Sequence, residues 1–130
     1  MKYWIIYILI CPVDEEVRYV GITSVALDTR LRRHLHDKYD HEKFMWISWL
    51  HSLDLIPEID RIDECYGDRH DAEIIERQYV WYYLMQGCRL FNRKYVLGGD
   101  DFIEHLKQGM SASKMPKHQH RSAASDMTLQ

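Results

Sequence analysis

Glu76 is the first residue whose surroundings call for a chemical explanation. Helical spacing makes Ala72, Tyr79, Val80 and Tyr83 its neighbours on one helix face. A carboxylate among such residues costs free energy if it is buried without a partner. Glu76 is therefore either a surface glutamate paired with Arg77 or Lys94, or a group with a task. Earlier in the chain, Arg30 and His34 stand four residues apart and so share a helix face. Arg30, Arg32 and Arg33 form a local basic cluster. Such a cluster can make one site positive on a protein whose net charge is −3. Two tyrosines, Tyr7 and Tyr19, stand in short apolar runs nearer the start.

The elements that position these residues follow from apolar patterning. Residues 3–11 are rich in isoleucine and aromatics and read as a buried strand. Pro12 to Glu16 makes a turn, and residues 17–22 a second strand, so the two form a hairpin. Ser24 or Asp28 can cap a helix that runs to about His36, with Leu27, Leu31 and Leu35 as its inward stripe. Residues 43–53 read as a second helix, stopped by Pro57. Phe44, Ile47 and Leu50 share its face, with Trp46 and Trp49 beside them. Residues 58–66 read as a strand whose acidic residues suggest a solvent-facing side or a sheet edge. Asp68 or Asp71 opens the long helix that carries Glu76, and Gly87 closes it. The order β-β-α-α-β-α implies an α+β domain, a small three-stranded sheet packed against helices. A last short helix is read over residues 102–107. The domain is set at residues 1–108, and residues 109–130 read as a disordered polar and basic tail.

Composition narrows the class further. At 130 residues, 46% hydrophobic and 28% charged, the chain fits one globular domain. Its three cysteines are scattered and form no CxxC pair, which argues against a zinc ribbon and a disulfide framework. They read as reduced thiols of an intracellular, cytoplasmic protein. The apolar run from Tyr3 to Val13 is too short to span a bilayer, and Asp14-Glu15-Glu16 follows it at once, so no membrane association is expected. Lys114, Lys117 and Arg121 give the tail a positive balance that could add affinity for a polyanion.

In order, Ile5-Ile6-Tyr7, Tyr19-Val20-Gly21, Arg30-x-x-x-His34, Glu76 in the long helix, and Asn92 before Gly98-Gly99 resemble the GIY-YIG nuclease family. The resemblance covers roughly residues 3–99. Ile5 stands where the family's first motif has glycine, and Val20 stands where the second has isoleucine. Taken singly, Tyr7 could be a core aromatic, Arg30 a solvated helix residue and His34 a surface histidine. Taken together, the resemblance implies a metal-dependent endonuclease hydrolysing DNA. It implies that Glu76 ligates a single Mg²⁺ or Mn²⁺, a hard cation suited to a carboxylate. Arg30 would bind the scissile phosphate, whose oxygens match its fork, with Arg33 and Asn92 as further substrate contacts. Tyr7 would act as the general base or align the water, supported by Tyr19, and His34 would orient it or relay a proton. The alternative is a weakly active or inactive module of the same fold that binds DNA or a protein partner. A homodimer or partner would supply targeting.

Overall fold

A computed structural model describes residues 1–92. The Gly98-Gly99 pair, the helix read over 102–107, the domain boundary at 108 and the tail lie outside the described residues. The elements run β1 (Lys2–Ile10), β2 (Val17–Thr23), α1 (Leu27–His36), α2 (His41–Ser52), β3 (Glu58–Gly67) and α3 (Arg69–Met85). This is the α+β order that the apolar patterning predicts.

The sheet is antiparallel, in the order β2-β1-β3. β1 is therefore central, and Ile6 to Ile10 are fully buried. Successive side chains on a strand point to opposite faces, and β1 divides its residues accordingly. Ile6, Ile8 and Ile10 join Ile62, Ala72, Tyr79, Val80 and Tyr83 in one core, under α3. Tyr7, Leu9 and Cys11 join Trp46, Ile47 and Leu50 in the other, under α1 and α2. Burying the central strand on both faces explains why it reads as a continuous apolar run. β3 takes the outer position, where its charged residues face water and blunt the exposed edge.

Local signals decide where the helices begin and end, and two of them differ from the sequence reading. The residue at the N-cap of α1 is Ala26, without a side-chain cap, rather than Ser24 or Asp28. Thr23 instead folds over the entry, its Oγ1 accepting the amide of Val25 at 3.1 Å. The second helix stops at Ser52, before Pro57 can act. Asp54 adopts φ 60° there, and Leu55 N–H returns to Leu50 C=O at 2.9 Å, a Schellman closure. The inward face of α2 is Lys43, Trp46, Ile47 and Leu50, whereas Trp49 is about half exposed. The signals on α3 match the reading. Asp68 and Asp71 form a reciprocal capping box. Gly87, at φ 88°, lets Cys88 N–H reach Tyr83 C=O at 3.0 Å. Cys11, Cys65 and Cys88 are free thiols.

Candidate active site

Tyr7 lies at the centre of the second core with no exposed surface. Its hydroxyl oxygen nonetheless has two polar partners. His34 Nε2 lies 2.6 Å from Tyr7 Oη, and Arg30 Nε donates to the same oxygen at 2.9 Å. Their four-residue spacing on α1 brings both side chains to one atom. His34 is 1% exposed, which removes the surface-histidine reading. Gly21, opposite Tyr7 in the register, makes room for this arrangement. A Cβ at that position would collide with Tyr7 Cζ and Oη. The glycine of the second motif thus lies within β2 and accommodates the tyrosine of the first.

Tyr19, on β2, packs against the same group. Its ring centroid is 6.3 Å from that of Tyr7 and 5.1 Å from the His34 ring, edge-on. Unlike Tyr7, it lines an open cleft of about 490 Å³. Arg30, Lys43, Arg69, Glu76, Phe91 and Asn92 share that cleft with three further carboxylates, those of Asp37, Asp40 and Glu73. The structure therefore gathers Tyr19, Arg30, Glu76 and Asn92 around one space, with Tyr7 and His34 directly beneath. It does not bring Arg33 there. Arg33 is exposed and lines a separate depression of about 400 Å³ with Thr29, Arg32 and His36.

Asn92 is occupied by the backbone. Its Oδ1 accepts from Val20 N–H at 3.0 Å, and its Nδ2 donates to Val20 C=O at 2.6 Å. Phe91 N–H adds a bond to Arg18 C=O at 2.7 Å. The segment after α3 thus pins the outer edge of β2, the strand that presents Tyr19.

Sequence reasoning missed Lys43. This lysine is 3% exposed on the inner face of α2. Its Nζ lies 2.9 Å from His34 Nδ1, 3.0 Å from Asp37 Oδ2 and 5.1 Å above the Tyr19 ring. A signal for it existed. Lys43, Trp46, Ile47 and Leu50 follow helical spacing, which puts a charge on an apolar face just as at Glu76.

Burial dominates the protonation equilibria. It holds the Tyr7 hydroxyl far above its ordinary range, helped by Tyr19, while Arg30 pulls the other way. Burial first, then Glu76, push Tyr19 up to about 12. Burial, then the charges of Lys43 and Arg30, pull His34 down to about 3, so its imidazole is neutral near pH 7.

The donor set limits which cation the cleft can take. Among the described residues no group of three His, Cys, Asp or Glu side chains converges. That excludes a closed structural zinc centre among them. Of the carboxylates lining the cleft, Asp37 is paired with Lys43 at 3.0 Å, Asp40 caps α2, and Glu73 is held by Arg69 at 3.3 Å. Glu76, one turn after Glu73, contributes one more. One carboxylate suits a hard divalent cation that keeps most of its water or shares phosphate oxygens.

The model of the GIY-YIG catalytic domain matches residues 3–80. The chain belongs to the GIY-YIG family. That match takes in both tyrosine strands, Arg30, His34 and Glu76. GIY-YIG domains are typically nucleases acting on DNA, usually with divalent metals. No curated protein and no solved structure matches the chain. Among the described residues of this GIY-YIG domain, no helix is long and apolar enough to cross a membrane.

Proposed function

We propose that this GIY-YIG domain is a metal-dependent DNA endonuclease whose phosphate-binding and water-aligning groups meet in the cleft between Tyr19, Arg30 and Glu76. The observation that carries the reading is the convergence of those three side chains on one open space. Phosphodiester hydrolysis needs a positioned water, charge neutralisation at phosphate and help for the leaving oxygen. Arg30 spends Nε on Tyr7 and has its terminal nitrogens, the fork that fits two phosphate oxygens, for the substrate. Glu76 is the residue to hold a divalent cation, Mg²⁺ or Mn²⁺. When bound, that ion would neutralise charge on the phosphate and the leaving oxygen.

The two tyrosines divide the work in a way their order along the chain did not suggest. Tyr19 lines the cleft and can meet a water there, whereas Tyr7 is sealed beneath it. Tyr19 therefore aligns the attacking water, and Tyr7 orients Arg30. Part of what holds the Tyr19 proton is the negative charge of Glu76. Neutralising that carboxylate eases the proton's departure. Asn92 keeps β2 in place instead of contacting phosphate.

The test is supercoiled plasmid incubated with the full chain in Mg²⁺, in Mn²⁺ and in chelator, beside Glu76→Ala. Metal-dependent nicking that disappears in the variant is the expected result. A folded wild type that nicks neither plasmid, branched nor single-stranded DNA would leave a binding module of the same fold as the better reading.

A further inference from the structure

The second core contains a chain of polar groups that the nuclease reading does not by itself require. It runs from Asp37 through Lys43 and His34 to Tyr7 and Arg30, with successive contacts of 3.0, 2.9, 2.6 and 2.9 Å. Lys43, His34 and Tyr7 are each at least nine-tenths buried. A polar network at that depth persists only if its donors and acceptors match.

Worked from the Lys43 end, the donors and acceptors assign the histidine tautomer. Lys43, paired with the Asp37 carboxylate, is an ammonium and carries donors alone. Its contact with His34 Nδ1 then requires that nitrogen to be the acceptor. A neutral imidazole has one acceptor and one donor, so the ring proton must sit on Nε2. Nε2–H points at Tyr7 Oη, 2.6 Å away. Arg30 Nε–H points at the same oxygen. We infer that Lys43 is a positioning residue that locks His34 in the Nε2–H tautomer, so that His34 donates to Tyr7 and cannot take its proton.

This changes what the histidine can do. In the opposite tautomer, Nε2 would accept from Tyr7 and pass a proton onward. With Lys43 in place that route is closed, and Tyr7 Oη becomes a fixed acceptor for two donors, its own O–H turned away from both. Its role is to hold the Arg30 guanidinium at a set angle to the cleft. Lys43 also lies over the Tyr19 ring, so one ammonium fixes the aromatic that meets water and the histidine behind it. Burial of His34 and the two neighbouring cations keep the ring neutral, as this arrangement requires.

The tautomer is readable without any activity, by long-range ¹H–¹⁵N correlation of the imidazole nitrogens in the full chain at pH 7. The His34 pattern is identified by its loss in His34→Gln. The expected wild-type pattern has a protonated Nε2 and a bare Nδ1, and Lys43→Met shifts it toward the Nδ1–H form. A wild-type His34 protonated on Nδ1, or on both nitrogens, would overturn the inference even if Lys43→Met failed to fold. So would a Lys43→Met pattern identical to the wild type. The catalytic consequence rests on the nuclease reading and is tested separately by single-turnover cleavage. Lys43→Met should slow the saturated rate by about tenfold or more, as loss of orientation does, with DNA affinity little changed. Weakened DNA binding at an unchanged saturated rate would make Lys43 a phosphate contact and overturn the positioning role. If the wild type cuts no DNA, the nuclease reading fails while the His34 spectrum still decides the tautomer.

Discussion

The ring of Tyr7 lies over Gly21, its partner on the adjacent strand, so closely that no side chain fits between them. The tyrosine of one motif thus dictates the glycine of the other. Gly21→Ala must displace a ring that His34 and Arg30 hold in place. Such overpacking typically costs about 1–3 kcal/mol. Thermal unfolding should show that loss, and plasmid nicking should fall with it. In a Tyr7→Ala background the same change at Gly21 should cost much less. A double-mutant cycle without coupling between the two positions would refute the contact.

Asn92 offers a second check, on the edge of β2. Asn92→Ala leaves Val20 N–H and C=O without their partners. A buried group stripped of its partner costs about 1–3 kcal/mol. The urea midpoint should drop, and the Val20 amide should exchange with solvent faster than its neighbours on β1. Unchanged protection at Val20 would show that the asparagine does not secure the strand.

The two arginines of the basic cluster should behave differently. Arg30→Lys loses the Nε donor to Tyr7 and the fork, so the saturated cleavage rate should fall by about tenfold or more. Arg33→Ala touches neither the cleft nor Tyr7 and should leave that rate nearly unchanged. A larger loss at Arg33 than at Arg30 would move the substrate to the outer face of α1.

His34 makes stability depend on pH. Its folded pKa is about 3 against an ordinary value of 6.5. The unfolded chain therefore binds a proton that the folded chain refuses between those values. Stability from this residue is complete above pH 6.5 and declines as pH falls toward 3. Each pH unit within that window costs about 1.4 kcal/mol, so moving from pH 7 to 5 should cost about 2 kcal/mol. Lys43 and Arg30 reinforce the effect, and Asp37 opposes it. Denaturant unfolding at both pH values, beside His34→Gln, isolates the contribution. An equal acid loss in the variant would assign the dependence to other groups.

The fold was legible because its signals are local and agree. The apolar run of β1, the acidic turn, the capping box at Asp68 and Gly87 each mark an element within a few residues. Much of the site was legible as an ordered set, since Tyr7, Tyr19, Arg30, His34 and Glu76 meet at or just beneath one cleft. Less visible was which tyrosine lines the cleft. Both stand in similar apolar strands, and only their place in the sheet and the position of α3 separate them. Arg30 and Arg33 look alike in a basic cluster, yet one turns inward and the other faces solvent. Lys43 went unnoticed because its partners His34 and Tyr19 lie nine or more residues away and meet it only after folding.

The bond between Val20 and Asn92 spans 72 residues. During synthesis, Tyr7, Tyr19, Arg30 and Glu76 all leave the ribosome before Asn92 does. Contacts of such long range form only after the intervening chain is available. The strand presenting Tyr19 is therefore secured late, when almost the whole described domain has emerged. A nascent chain therefore carries Tyr7, Tyr19, Arg30 and Glu76 before it has the asparagine that ties down the outer edge of β2.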